Sequence, residues 1–185
     1  ILRPNAPALA PAVDAGGWPL ALFSHGLLGS VAAYSSLCAE VASHGSVVLA
    51  PEHLDGSASY TQSADGSTMP YLRQRPQEYA DDAAWRAAQT QTRVHELQAL
   101  LRDLRAVLAP TPVGALADEG LQFLCDGRVT LLGHSFGGGT MLETALVIAR
   151  SSEKQTSAAA PRVAATVVLD PWLLGCSNAV YAREA

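Results

Sequence analysis

The sequence predicts an α/β protein in which a mostly parallel sheet carries helices on both faces. Short, largely apolar runs alternate with stretches whose apolar residues recur every three or four positions, which is typical of strands followed by helices. The runs show little polar alternation, as expected of strands that are covered on both faces. The four predicted strands are Leu20 to Phe23, Val47 to Ala50, Arg128 to Leu132 and Val163 to Leu169.

The composition limits the class of protein. A chain of 185 residues with 49% hydrophobic and 16% charged residues can bury one core, so we expect one domain. The net charge of −5 provides no basic patch, which argues against nucleic acid as a partner. No apolar run approaches the roughly 18 residues that a membrane span needs. Because the first residue is Ile1 rather than Met, the sequence indicates nothing about localisation.

Three helices and three irregular segments connect the predicted strands. In the second helix, Val94 and Leu97 fall on one apolar face while Glu96 lies away from it, and core packing is the plain interpretation of that face. The predicted helices cover residues 31 to 43, 81 to 108 and 136 to about 149. The irregular segments are a lead-in at 1 to 18, a loop insertion at 55 to 80 near the mouth of the site, and a polar crossover at 151 to 162.

A glycine-rich turn follows the third predicted strand. The segment from Val129 to Met141 reads VTLLGHSFGGGTM, and a strand followed by Gly-x-Ser-x-Gly and a helix is typical of the nucleophile elbow of α/β-hydrolases. We therefore predict Ser135 as a nucleophile held in a strained turn. Gly133 and Gly137 are expected where a side chain would collide with a neighbouring element. The alternative, a phosphate-binding turn, lacks the Gly-Lys-Ser/Thr pattern.

Two further loops predict partners for this serine. The first strand ends in the glycine-spaced loop SHGLLGS, where one backbone N–H, together with that of Phe136, could bind an oxyanion. His25 in that loop is interpreted as a loop histidine rather than a catalytic one. Asp170 follows the last strand, 35 residues after Ser135, as the acid of a Ser-Asp-His triad should. A helix or turn cap is the alternative for Asp170.

A cluster of polar residues follows the second predicted strand. Glu52, His53 and Asp55 all lie within five residues of the carboxyl end of that strand. A role in the site is possible for this cluster. A turn in which the aspartate side chain bonds to the backbone is the commoner outcome for such a sequence.

The expected catalytic histidine is absent from the sequence. None of the five histidines follows Asp170, although the base of this triad comes after the acid in chain order. The five are His25, His44, His53, His95 and His134. We therefore predict that the chain is a fragment, an incomplete α/β-hydrolase domain without its carboxyl-terminal part and with an unknown length missing before Ile1.

Five stretches resemble the platelet-activating factor acetylhydrolase family, in its lipoprotein-associated and intracellular type II forms. They are FSHGL from Phe23, ASHG from Ala42, EHLDGSAS from Glu52, GHSFGG from Gly133 and LDPW from Leu169. The resemblance implies that Ser135 is the nucleophile, Asp170 the acid, and the backbone amides of Leu27 and Phe136 the oxyanion hole. It also implies removal of acetyl, short or oxidised acyl groups from the sn-2 position of phospholipids, without a metal or other cofactor.

Some residues depart from the family pattern. Leu54 stands where the family usually has arginine, and Pro171 replaces a small residue beside Asp170. These differences affect the expected substrate preference more than the reaction type. The substrate is thus a phospholipid or another small ester, with association to a lipid surface possible. A cutinase-like polyesterase is the alternative enzyme, and a non-catalytic binding protein of the same fold is the alternative from another class.

The three cysteines do not predict a structural site. Cys38, Cys125 and Cys176 show no C-x-x-C spacing, which argues against both a zinc site and a disulfide scaffold. Buried free thiols are the expected state.

Overall fold

The computed structural model describes residues 18–63, 65–108, 124–154 and 162–182. The expectations for the lead-in before Trp18 and for residues 155–161 of the crossover lie outside these ranges.

The strands of the described residues form two sheets. In chain order they are β1 (Trp18–Ser24), β2 (Val47–Leu49), β3 (Tyr60–Gln62), β4 (Thr68–Pro70), β5 (Leu124–His134) and β6 (Arg162–Leu169). A four-stranded sheet has the order β2-β1-β5-β6, and every pairing in it is parallel. The second sheet is the antiparallel hairpin β3-β4. All four predicted strands are therefore confirmed.

Side-chain caps begin two of the helical segments. The segments are a 3-10 turn (Val31–Tyr34), α1 (Ser35–Ser43), α2 (Asp82–Arg102), α3 (Leu104–Leu108), α4 (Phe136–Lys154) and α5 (Asn178–Tyr181). The 3-10 turn opens at Ser30, whose hydroxyl accepts a hydrogen bond from the N–H of Ala33 at 3.3 Å. Asp81 caps α2 by accepting from the N–H of Ala84 at 2.8 Å. These side chains satisfy N–H groups that a helix leaves unpaired at its first turn.

The main sheet is covered on both faces of β1. Leu22 is fully buried in a cluster with Leu97 of α2 and Met141 of α4. Phe23, the next residue, points to the opposite face because side chains alternate along a strand. Its ring lies 4.9 Å from that of Tyr34 in the 3-10 turn, between ring centroids. The structure thus confirms the predicted α/β class.

Residues 55 to 80, predicted as a loop, contain the hairpin β3-β4. Tyr60 lies opposite Pro70 and Gln62 opposite Thr68. Each strand has only three residues, which is too short for an alternating pattern to be visible in the sequence. The expectation of a wholly irregular segment was therefore wrong at these residues.

Helix α4 is longer than predicted. It continues to Lys154, five residues beyond the expected end at about 149, so the first residues of the predicted crossover are helical. The hydroxyl of Ser151 donates to the carbonyl oxygen of Val147 at 2.9 Å. This bond to the preceding turn lets a polar residue continue the helix.

Three loops leave the main sheet at the carboxyl ends of its strands. Ser24, the last residue of β1, lies beside Gly133 of β5, and His134 lies beside Leu169, the last residue of β6. Because the three strands are parallel, the segments that follow them emerge together at their carboxyl ends. The predicted oxyanion loop, nucleophile turn and acid loop are therefore neighbours.

Candidate active site

The turn at Ser135 has the geometry of a nucleophile elbow. Ser135 adopts a φ of +53°, a left-handed conformation that costs an ordinary residue free energy. A side chain at Gly133 would overlap the backbone carbonyl of Gly137. One at Gly137 would overlap the carbonyl of Ser24 and lie 2.6 Å from that of His25. Both glycines are thus required by close backbone approach, as the sequence predicts.

Backbone hydrogen bonds attach the loop of Asp170 to this turn. The N–H of Ser135 donates to the carbonyl oxygen of Leu169 at 2.9 Å, and the N–H of Trp172 donates to the carbonyl oxygen of Ser135 at 2.9 Å. Asp170 lies between these two bonds, is exposed, and has a φ of +45°. The predicted nucleophile and the predicted acid are therefore held side by side by main-chain contacts.

The loop after β1 approaches the same serine. A Cβ on Gly26 would lie 3.2 Å from the Cβ of Ser135. The loop is held by a hydrogen bond from the N–H of Leu28, whose φ is +59°, to the carbonyl oxygen of Ser57 at 2.8 Å. Leu27 lies between these two fixed points. Its N–H makes no hydrogen bond among the residues that the structure describes, which leaves it available to an oxyanion.

The second predicted oxyanion donor lies at the start of α4. Phe136 is the first residue of this helix, where an N–H has no acceptor within the helix and the helix dipole favours negative charge. Its ring is buried, with 1% exposure, and lies 5.7 Å from that of Trp172 between centroids. The structure thus brings together all four residues predicted for the reaction, although their roles stay predictions.

Three of the five histidines have other partners or are exposed. Nδ1 of His134 lies 2.7 Å from the hydroxyl of Tyr34. His44 is exposed and contacts Glu40 of its own helix at 3.2 Å, and His95 is exposed on α2. None of these rings has a hydrogen bond to Ser135 or to Asp170.

His53 belongs to a buried serine–histidine–glutamate arrangement. Its Nε2 lies 2.8 Å from the hydroxyl of Ser24, and its Nδ1 lies 2.6 Å from Oε2 of Glu96. Burial lowers the pKa of His53 well below its usual value and raises that of Glu96 to about 7. The imidazole is therefore neutral. Above about pH 7, where Glu96 is ionised, Nδ1–H donates to its carboxylate and Nε2 accepts from the Ser24 hydroxyl.

This arrangement has the connectivity of a catalytic triad but no access for a substrate. Ser24 and His53 are both 0% exposed, so no ester carbonyl can reach the Ser24 hydroxyl. Glu96 also accepts a hydrogen bond from the N–H of Leu54 at 2.9 Å, which ties α2 to the loop after β2. We interpret the arrangement as structural. The sequence analysis placed Glu96 away from the apolar face of α2 and did not predict its bonds to His53 and Leu54.

His25 lies beside the carboxylate of Glu52. Its Nε2 lies 3.0 Å from Oε1 of Glu52, and its Nδ1 lies 2.9 Å from the carbonyl oxygen of Gly26. Burial, followed by the charge of Arg93, lowers the pKa of His25 to about 4, and burial raises the pKa of Glu52. The ring of His25 is therefore neutral, with Nδ1–H donating to the carbonyl oxygen of Gly26 and Nε2 accepting from the N–H of His53 at 3.4 Å. His25 is a buried loop histidine, as interpreted from the sequence.

Asp55 makes the predicted turn and one contact that was not predicted. Its Oδ1 accepts from the N–H of Ser57 at 3.0 Å, which is the side chain-to-backbone bond expected at this position. Its Oδ2 pairs with Nε of Arg93 at 2.8 Å, and both side chains are buried. Arg93 was missed, although a sequence signal exists: it lies four residues before Leu97, on the apolar face of α2.

The described residues present neither a metal site nor a membrane span. No group of three or more His, Cys, Asp or Glu side chains in the described ranges could hold a metal ion. No helix within those ranges has the length and hydropathy needed to cross a bilayer. Cys38 and Cys176 are free thiols, and Cys125 lies where side chains are outside the description.

Comparison with known proteins decides the family. The family model for platelet-activating factor acetylhydrolase, isoform II, matches residues 5–185. The chain belongs to this acetylhydrolase family. The resemblance found in the five motifs is thereby confirmed over nearly the whole chain.

Curated members of the acetylhydrolase family and a putative phospholipase are similar in sequence. The platelet-activating factor acetylhydrolase of Canis lupus familiaris is 33% identical over 181 residues, which are 90% of this chain and 38% of the relative. The putative phospholipase A2 of Schizosaccharomyces pombe is 34% identical over 153 residues, covering 68% of this chain and 34% of the relative. The chain thus spans less than two fifths of the length of these relatives.

A solved structure shares the fold. The ferulic acid esterase of Streptomyces cinnamoneus superimposes with a TM-score of 0.51 at 21% identity, over 72% of this chain and 34% of the esterase. At this identity the likeness concerns the fold alone. It agrees with the parallel sheet and the elbow, and the fold is that of an α/β-hydrolase.

Proposed function

We propose that the protein containing this chain is a serine esterase that removes the sn-2 acetyl, short or oxidised acyl group of platelet-activating-factor-like phospholipids, a 1-alkyl-2-acetylglycerophosphocholine esterase. The observation that carries the proposal is the strained Ser135, φ +53°, in a chain that matches the family over residues 5–185. The relatives named platelet-activating factor acetylhydrolase support the choice of substrate. The reaction class, carboxylic ester hydrolysis, rests on the elbow as well.

The proposed reaction has two acyl-transfer steps. The Oγ of Ser135 attacks the ester carbonyl carbon and its proton passes to a histidine. The carbonyl oxygen becomes an oxyanion that the N–H groups of Leu27 and Phe136 bind. The histidine then returns the proton to the departing alkoxide of the lysophospholipid. Water, activated by the same histidine, attacks the acyl-serine and releases the carboxylic acid and the free Ser135 hydroxyl.

We propose that the histidine comes from a residue outside the 185 of this chain, oriented by Asp170. The contacts of the five histidines support this. His25, His53 and His134 bond to other groups, and the exposed His44 and His95 make no hydrogen bond to Ser135 within the described residues.

Apolar side chains beside the oxyanion loop support contact with a lipid surface. Leu28, Tyr60 and Leu72 are 55%, 54% and 38% exposed. The N–H of Leu28 donates to the carbonyl oxygen of Ser57, and the N–H of Leu72 donates to that of Gly56. Because Gly56 and Ser57 are consecutive in the chain, the two leucines lie in one region. Replacing both with serine should reduce co-sedimentation with phosphatidylcholine vesicles. A Leu37→Ser control on α1, 37% exposed, should bind like the unsubstituted protein.

The proposed function is tested on the full-length protein encoded by the reading frame that contains this chain. We expect a fluorophosphonate to label Ser135, and Ser135→Ala to lower kcat by about 10⁴- to 10⁶-fold while circular dichroism stays unchanged. Turnover should fall from acetyl to butyroyl to palmitoyl phosphocholine. Faster turnover of a soluble polyester oligomer would indicate the cutinase-like alternative, and a folded protein without labelling would indicate a binding protein.

A further inference from the structure

Arg93 is a buried cation with a complete set of partners. It projects from α2 and is 0% exposed. Its Nε donates to Oδ2 of Asp55 at 2.8 Å, and its Nη2 donates to the hydroxyl of Ser57. A buried guanidinium without such partners would be strongly destabilising, and its rigid fork allows it to bond in several directions at once. Two of these directions lead to Asp55 and Ser57, and a third leads to the loop after β1.

The third bond of the Arg93 guanidinium holds the backbone beside one predicted oxyanion donor. Nη1 of Arg93 donates to the carbonyl oxygen of His25 at 2.8 Å. His25 is two residues before Leu27, whose N–H is predicted to bind the oxyanion. The carbonyl group of His25 also borders Gly137, where an added Cβ would lie 2.6 Å from its oxygen. The carbonyl is therefore confined between the guanidinium and the first turn of α4.

The same guanidinium contacts the residue that carries the other predicted donor. Its central carbon lies 4.5 Å from the centroid of the Phe136 ring, within the range of a cation–π interaction. Phe136 is 1% exposed, so the contact is shielded from water. One side chain from a distant helix thus touches both segments that would form the oxyanion hole.

We propose that Arg93 is a positioning residue that sets the separation of the two oxyanion donors, the N–H groups of Leu27 and Phe136. The proposal rests on the proposed esterase function and extends it to a residue that does not touch the substrate. Its physical basis is that oxyanion binding requires donors about 2.7–3.1 Å from the oxygen, so a small change in their separation weakens the transition state more than the bound substrate.

The test is Arg93→Lys in the full-length protein, with active sites counted by fluorophosphonate labelling at completion. Lysine keeps the charge and can reach Asp55, but one ammonium cannot bond to Asp55, Ser57 and His25 in the planar arrangement of a guanidinium. We expect kcat for p-nitrophenyl acetate, per labelled site, to fall by about 10²-fold with KM changed less than about threefold. The inhibition constant of a trifluoromethyl ketone, which forms an oxyanion on serine, should rise by the factor by which kcat/KM falls.

Arg86→Lys is the matched control. Arg86 is on the same helix, is 7% exposed, stacks on Trp85 at 3.8 Å and donates to Gln89. Its guanidinium also lies 5.9 Å from the centroid of the Trp172 ring, and within the described residues it contacts neither His25 nor Phe136. Its replacement can therefore cost stability but should leave kcat per labelled site unchanged. If Arg93 had only a structural role, both variants would lose stability and keep kcat per labelled site unchanged.

The outcomes separate this proposal from the function on which it rests. If the unsubstituted protein has no Ser135-dependent turnover, the proposed function fails. If it has turnover and Arg93→Lys keeps kcat within about threefold, only the positioning role fails. Should Arg93→Lys not fold, Phe136→Leu takes its place, because it retains the N–H and removes the ring. A kcat within about threefold of the unsubstituted value then overturns the proposal, and a larger loss at constant KM supports it.

Discussion

Replacing Ser135 by glycine should give a more stable protein than replacing it by alanine. The φ of +53° at this position is left-handed, which costs a non-glycine residue about 1–2 kcal/mol. Glycine avoids this cost but loses about 0.5–1 kcal/mol through the greater freedom of the unfolded chain. The difference predicts that Ser135→Gly exceeds Ser135→Ala by about 0.5–1 kcal/mol in free energy of unfolding. Both variants should lack esterase turnover.

The same pair of substitutions at Ser151 is the control. Ser151 lies within α4, where glycine should be less stable than alanine by about 1 kcal/mol. The sign of the glycine–alanine difference should therefore reverse between two positions of one segment. The measurement is urea unfolding of the four variants in the full-length protein, compared by midpoint at constant m value. If alanine is as stable as glycine at position 135 while Ser151 behaves as expected, the turn is not strained as the structure indicates.

Three further predictions concern the acid, the buried glutamate and the elbow. Asp170→Asn should lower kcat by about 10⁴-fold with little change in folding, because an amide cannot orient and stabilise an imidazolium. Circular dichroism and turnover of p-nitrophenyl acetate measure the two effects. Near-normal turnover would exclude Asp170 as the acid. Burial raises the pKa of Glu96 from 4.5 to about 7. Between these two pH values the folded state keeps a proton that the unfolded chain releases. The free energy of unfolding that this group contributes therefore falls as pH rises from 4.5 to 7. In urea unfolding, the free energy of unfolding of Glu96→Gln should therefore rise relative to that of the unsubstituted protein between pH 4.5 and pH 7. A constant difference between the two proteins over this pH range would contradict the raised pKa of Glu96. Gly137→Ala should lose at least about 3 kcal/mol or fail to fold, because the new methyl group would overlap the carbonyl of Ser24; a folded, active variant would show that the two backbones are further apart.

The strands and the elbow could be predicted because their signals are local. Ser135, its flanking glycines and the preceding apolar run lie within a few residues of one another, and steric demands at Gly133 and Gly137 act on the immediate chain. The position of Asp170 beside Ser135 could be predicted from chain order in this fold, and its role as the acid stays a prediction. The short hairpin β3-β4 was not predicted, because strands of three residues are too short to show an alternating pattern in the sequence.

The buried polar cluster could not be predicted because its partners are far apart in the chain. Arg93 bonds to Asp55 and His25, 38 and 68 residues away, and Glu96 bonds to His53, 43 residues away. No periodicity in the sequence relates such positions. The charged residues of α2 only become interpretable once the tertiary fold places them beside the loops that follow β1 and β2.

The position of β1 in the middle of the sheet has a consequence for the order of folding. β5, α4 and β6 are consecutive in the chain, so the turn of Ser135 and the loop of Asp170 can meet by closing a short segment. β1 must instead find β5 across about one hundred residues, the separation of Tyr34 and His134, which bond at 2.7 Å. We expect Ser135 and Asp170 to come together early and the loop of Leu27 to dock last. A newly made chain would then hold the predicted nucleophile and the Phe136 donor in place before the Leu27 donor joins them, and the predicted oxyanion hole would be complete only when the most distant parts of the chain have met.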